Sequence, residues 1–219
     1  MAALIRALAG MTIDKVSHWN RLRSYVARMT ESCVPPEIYA SPKKLNLGCS
    51  VTHLPTYTNV DVQEEVGPEV VCDIRELPFA RDDEYDLVRA SHVLEHFELR
   101  ECYEVLAEWR RVLKPGGYLV VCVPNFEAQA WRSVLWPRGL ALDEKTLQNG
   151  WINGLFALDL PPQFRHKIVF TEKSLRNLLD ECGFLVKGSM SYLREEPYTL
   201  GIRDDSCNSF SINLVAVKV

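Results

Sequence analysis

Between residues 44 and 74 three short apolar runs follow one another, and each ends in a residue suited to meet a ligand. Lys44-Leu45-Asn46-Leu47 stops at Gly48-Cys49-Ser50, Thr58-Asn59-Val60 stops at Asp61, and Val70-Val71-Cys72 stops at Asp73-Ile74. A buried strand closed by glycine lets backbone N–H groups approach a bound group closely, and an acidic residue ending the next strand can accept hydrogen bonds from both hydroxyls of a ribose. Taken alone, the pattern describes a parallel sheet that binds a nucleoside-like group at the ends of its strands.

The rest of the chain keeps the same rhythm, alternating short apolar runs with helical periodicity, which is the mark of βαβ units. Leu99, Cys102, Leu106, Trp109 and Leu113 lie on one face of a helix expected to stop at Lys114-Pro115-Gly116-Gly117, followed by a strand over Tyr118 to Val123. Thr171 reads as the N-cap of a helix carrying Leu175, Leu178, Leu179 and Cys182, closed by Gly183. Phe184 to Lys187 and Ser211 to Val217 read as two last strands.

Two segments fall outside this rhythm. Residues 12 to 30 set Ile13, Val16, Trp19, Leu22 and Val26 at helical spacing, with a basic opposite face, before Pro35-Pro36 breaks the pattern. Such a helix packs over the sheet, and its basic face also suits a peripheral membrane contact. Residues 126 to 165 mix Trp131, Trp136, Trp151 and Phe156 with glycines and prolines, the composition of an irregular cap over a binding site rather than of a disordered linker. The expected organisation is a helical extension over 1–40 and one domain over 41–219, with a cap or lid insertion at about 126–168.

The ordered set LNLGCS, NVD, CDIRELPF, YDLVRASHVLEH, RVLKPGGYLVVCVPN and FTEKSLRNLLDECGF resembles the class I S-adenosylmethionine (SAM)-dependent methyltransferases of the type 11 group. The resemblance is strong over residues 44–125 and weaker over 166–219. It implies a Rossmann-like α/β fold: a mostly parallel seven-stranded sheet with helices on both faces and a C-terminal antiparallel strand pair. The cofactor it implies is SAM, with S-adenosylhomocysteine as product.

Carried over position by position, the resemblance puts Gly48 beneath the methionine part of SAM and Asp61 with Val62 at the ribose. It sets Asp73 and Ile74 at the adenine edge, and Ser91 beside the methionine moiety. Asn46 and Ser50 depart from the family pattern but belong to the same cofactor-binding loop, Asn46 standing where an acidic residue is frequent and Ser50 where a second glycine is usual. These departures leave open a degenerate, non-catalytic domain.

His92-Val93-Leu94-Glu95-His96 adds chemistry to the end of the fourth strand. On a helix its polar residues share one face, and the spacing matches the H-x-x-E-H pattern of a class of zinc peptidases. A zinc hydrolase, or a transferase with a divalent metal on His92, Glu95 and His96, is therefore an alternative, although a metal is not favoured. For a transferase the same histidines, with His166, are the candidate general bases, since an imidazole near its ordinary pKa removes a hydroxyl proton at neutral pH. The expected function is methyl transfer to a small-molecule or glycan acceptor, at oxygen.

Bulk properties narrow the partners. With 25 basic and 29 acidic residues the formal charge is −4, which gives no global attraction to phosphate polymers, so nucleic acid is not expected as a partner. The seven cysteines contain no C-x-x-C pair and read as reduced core thiols in a cytoplasmic protein. No apolar stretch reaches the roughly 20 residues of a membrane span, and Arg6 interrupts the N-terminal Ala-Leu run where a signal peptide would be apolar.

Overall fold

The structure is a computed structural model and describes residues 34–135, 155–158, 160–189 and 211–219. The amphipathic pattern over 12–30, with its membrane-facing reading, and the cap tryptophans Trp136 and Trp151 lie outside the described residues.

The apolar runs become seven strands: β1 (Lys44–Leu47), β2 (Thr58–Asp61), β3 (Val70–Val71), β4 (Tyr85–Ser91), β5 (Leu113–Pro124), β6 (Phe184–Ser189) and β7 (Ser211–Lys218). They form one sheet in the order β3-β2-β1-β4-β5-β7-β6. Pairings from β3 through β5 are parallel, while β7 runs antiparallel to both β5 and β6. The order reverses between β1 and β4, so the carboxyl ends of these two neighbours diverge into different connections and open a crevice there. This is the expected Rossmann-like sheet with its late antiparallel pair.

Side-chain alternation along the strands builds two cores. On β5, Leu119, Val121 and Val123 enter a large cluster with Leu45, Leu47 and Val88, while Val120 and Cys122 join Val34, Leu54, Tyr57 and Leu87 on the opposite face. Helix α1 (Pro36–Tyr39) brings Ile38 and Tyr39 against that second face. Burial on both sides explains why β5 reads as a nearly unbroken apolar run.

Helix α2 (Leu99–Val112) covers the larger core with Cys102, Val105, Leu106, Trp109 and Val112. Leu99, expected on this face, is instead exposed at the first helical position. The helix also ends sooner than expected. Leu113 already pairs with Tyr85, and a register shift before the Leu87–Tyr118 pair absorbs Lys114-Pro115-Gly116-Gly117, with Gly116 at φ 77°. The glycines thus serve a bulge inside β5 and not a helix cap.

A second correction concerns the start of the cap. Phe126–Leu135 is a regular helix, α3, entered from Asn125, whose side-chain oxygen accepts the Ala128 N–H at 3.1 Å. Asn125 is a strong N-cap, and Glu127 to Ala130 are good helix formers; the prolines and glycines further on had masked them. Helix α4 (Glu172–Glu181) matches expectation, with Thr171 Oγ1 accepting the Ser174 N–H at 3.1 Å and Gly183 at φ 78° beyond its end.

Paired carboxylates tie these elements together. Hydrogen bonds from Arg111 hold the Glu108 carboxyl below its ordinary range against some desolvation. At Asp86 burial pushes the carboxyl up, and hydrogen bonds from Lys114 and Ser41 more than offset it, leaving it low. A carboxyl with a depressed folded pKa contributes stability above its unfolded pKa and loses it as pH falls through the folded value. The melting temperature is therefore expected to hold down to about pH 5 and to fall progressively below about pH 4. A melt series between pH 3 and 7, compared with Glu108→Gln, checks this; a flat profile in the parent protein would refute it.

Candidate active site

The turn after β1 lies where the strand order reverses between β1 and β4. Gly48 adopts φ 62°, and a Cβ built on it would sit 2.4 Å from Val93 Cγ2. Glycine is required twice over here, for the left-handed backbone and for the close approach of Val93. Ser50, next but one, also has positive φ at 45°, so it takes a glycine-like conformation despite its side chain. Its N–H donates to Asp61 Oδ2 at 2.8 Å, while Asp61 Oδ1 accepts the Gln63 N–H at 2.9 Å. Asp61 therefore links the loop after β1 to the end of β2, with Val62 exposed beside it.

Asn46 lies beneath this loop, held by protein groups. It is fully buried, its amide donating to Thr52 O at 2.9 Å and to Asn59 Oδ1 at 2.8 Å, while its Oδ1 accepts from Arg89 Nη1 at 2.8 Å. Asn59 in turn clasps Leu54, accepting its N–H at 2.9 Å and donating to its carbonyl at 3.1 Å. Both donors and the carbonyl of the Asn46 amide are thus spent on the fold, and the residue holds the loop in shape.

Asp73 and Ile74, expected at the adenine edge, are also engaged within the fold. Asp73 is gripped by Arg75 through its backbone N–H at 3.0 Å and through Nη2 at 2.6 Å, and these contacts hold its carboxyl below the ordinary range against partial desolvation. The Ile74 carbonyl accepts from Trp109 Nε1 at 3.1 Å, so it points inward.

Ser91 ends β4 in register with Cys122, and the chain turns abruptly at His92, where φ is 54°. A β-carbon residue in this region is strained, and such strain gathers at sites where a side chain must be aimed. The expected single helical face over 92–96 is absent, because the left-handed turn precedes a three-residue 3₁₀ turn, Leu94–His96. His92 Nε2 lies 3.0 Å from Ser211 Oγ at the start of β7, and its Nδ1 lies 3.1 Å from Glu95 Oε1.

Glu95 is 1% exposed. His166 Nε2 stands 3.8 Å from its Oε1, and the His166 and His96 rings meet edge to face at 4.8 Å. Burial pushes the Glu95 carboxyl up, but the imidazoles of His92, His166 and His96 more than offset this and leave it below the ordinary range. Burial also lowers His166, against the pull of Glu95. The set that converges is thus Glu95, His96 and His166, with donor atoms within 4.8 Å of one another, and not the expected His92, Glu95 and His96. His92 instead pairs with Glu95 from one side.

Ser211 is the residue that sequence reasoning missed. It opens the last strand, opposite Pro124 of β5, and carries no local motif that marks it.

Residues 44–121 match the model of the family described as methyltransferase domain. Among solved structures, a SAM-dependent methyltransferase from Methanosarcina mazei superposes with a TM-score of 0.55 at 20% identity, covering 85% of this chain and 98% of that one. A SAM-dependent methyltransferase from Thermotoga maritima gives 0.50 at 14% identity, covering 92% and 89%. At these identities the likeness is one of fold. No curated protein matches the sequence.

Proposed function

We propose that this chain is a class I SAM-dependent methyltransferase, a reading that its family-model match over residues 44–121 and its sheet order support, and that it transfers the methyl group of SAM to a hydroxyl of a small-molecule or glycan acceptor, with His92 taking the proton. One observation carries the reading. The glycine turn that Asp61 holds and the strained His92 sit at the carboxyl ends of the adjacent strands β1 and β4, where the sheet order reverses.

Gly48 shapes the loop that would hold the methionine part by letting the chain turn against Val93, Asp61 keeps acceptor capacity for the ribose hydroxyls, and Val62 offers an exposed apolar surface to the base. Methyl transfer from a sulfonium is an in-line displacement in which positive charge disappears, so the protein must align the acceptor and accept its proton. His92 is suited to this because Nδ1 faces the buried carboxylate of Glu95 while Nε2 already lies at hydrogen-bond distance from a hydroxyl, that of Ser211. An acceptor hydroxyl replacing that contact is bound at the imidazole nitrogen that receives its proton. SAM supplies the electrophilic methyl.

The test is calorimetry of the full chain with SAM and S-adenosylhomocysteine, followed by a screen of hydroxylated acceptors for methyl transfer. With an acceptor in hand, His92→Ala is expected to lower kcat by about 10²–10⁴ while leaving S-adenosylhomocysteine affinity within a few-fold. Turnover within about threefold of the parent would remove the base from His92, and absence of cofactor binding would remove the transferase reading.

A further inference from the structure

The buried carboxylate of Glu95 is left in an unusual state. Both of its oxygens are buried and lack a hydrogen-bond partner, as does the buried Nδ1 of His96. His92 Nδ1 approaches Oε1 at 3.1 Å, out of hydrogen-bond alignment, and draws the carboxyl pKa down, while among the described residues no ring nitrogen is placed against Oε2. A buried carboxylate with so few aligned donors is costly, and a cation among its neighbours offsets that cost.

The tautomer of His166 sharpens the point. Its Nδ1 lies 2.7 Å from the Leu155 carbonyl. A carbonyl can only accept, so Nδ1 carries the proton, and in the neutral ring Nε2 presents a lone pair. That lone pair faces Glu95 Oε1 at 3.8 Å. Two acceptors face one another inside the protein, with the orphaned nitrogen of His96 beside them. A ring nitrogen fixed by a backbone carbonyl on its far side is also the usual way an imidazole is oriented toward a metal.

We infer that Glu95, His96 and His166 form a binding site for a divalent transition-metal cation. Two imidazole nitrogens and one carboxylate suit zinc, manganese or cobalt rather than calcium or magnesium. Bonds of about 2.0–2.2 Å in a tetrahedral set place ligands ~3.4 Å apart, so the widest pair must draw in by roughly 1.4 Å, which side-chain rotation provides. Three protein ligands leave a position open, and an ion there lowers the pKa of a bound hydroxyl. That use of the site rests on the transferase reading; the binding itself does not.

The full chain, stripped with chelator and dialysed, is titrated with Co²⁺ by visible absorption and with Zn²⁺ by calorimetry. One equivalent per chain is expected, with ligand-field bands and no thiolate charge-transfer band. His166→Ala and Glu95→Gln are each expected to weaken binding by more than about 100-fold, beyond the usual cost of losing an outer partner. Titration with S-adenosylhomocysteine and a thermal melt on the same samples show whether each variant is folded. Should Glu95→Gln not fold, the more exposed His166→Ala decides the question. No stoichiometric Co²⁺ binding by the parent, a thiolate signature, or binding unchanged in folded His166→Ala would each overturn the site. Metal binding without S-adenosylhomocysteine binding would overturn the transferase reading alone, and the converse result would overturn the metal site alone.

Discussion

Asp61→Ala is expected to lower affinity for S-adenosylhomocysteine by at least about 100-fold. Each hydrogen bond from a ribose hydroxyl to an ionised carboxylate contributes about 1.5–3 kcal/mol, and losing two of them costs about 3 kcal/mol or more, where 1.4 kcal/mol is a factor of ten. A second loss adds to this. The same carboxylate accepts the N–H of Ser50 at 2.8 Å and of Gln63 at 2.9 Å, so alanine also frees the loop that Gly48 and Ser50 shape. Asp61→Asn separates the two contributions, because its amide oxygen can still hold one of these N–H groups. Calorimetry on parent, alanine and asparagine forms gives the result directly. Affinity of the alanine form within about threefold of the parent would mean that Asp61 serves the loop and not the ribose.

The largest effect on stability is expected at Trp109. The side chain has no exposure, lies in the main core between α2 and the sheet, and donates through Nε1 to the Ile74 carbonyl. Trp109→Ala removes the packing and leaves a cavity, at about 3–5 kcal/mol, and it strands a carbonyl whose lost partner alone costs about 1–3 kcal/mol. Against a typical domain stability of 5–15 kcal/mol, this leaves the protein marginal. Trp109→Phe keeps most of the packing and loses the donor, so it should fall between the two. Urea unfolding monitored by far-ultraviolet circular dichroism measures all three. A loss under about 1 kcal/mol for alanine would refute this account of the core. Because Ile74 also sits at the proposed adenine edge, the phenylalanine form is expected to bind S-adenosylhomocysteine more weakly than its modest loss of stability implies.

Much of this molecule was legible in its sequence because the informative signals are local. Gly48 after Leu47, Asp61 after Val60 and Asp73 after Cys72 each mark the end of a strand within a few residues, and the strands form where these pairs predict them. Helix α4 was equally plain, since Thr171 and Gly183 bracket it with recognisable caps. Local signals also misled. The glycines of Lys114 to Gly117 resemble a helix stop yet lie in a bulged strand, because pairing of Leu113 with Tyr85 outweighs the turn preference of the tetrapeptide. The spacing of His92, Glu95 and His96 suggests one helical face, but the backbone at His92 is left-handed and its ring lies between Glu95 and Ser211.

The sequence by itself determined the parallel sheet and where its strands end, because a strand, its terminating glycine and its acidic end are neighbours along the chain. Only the tertiary structure decided which groups each histidine meets. His92 meets Ser211 across 119 positions because β7 runs antiparallel beside β5 and carries its first residue back to the open end of the sheet. His166 reaches Glu95 because Lys167 donates its N–H to the Glu95 carbonyl at 2.8 Å, a contact between distant segments that no periodicity encodes. Such meetings are set by how strands and loops pack in three dimensions, and a pattern of period two or 3.6 carries no information about them.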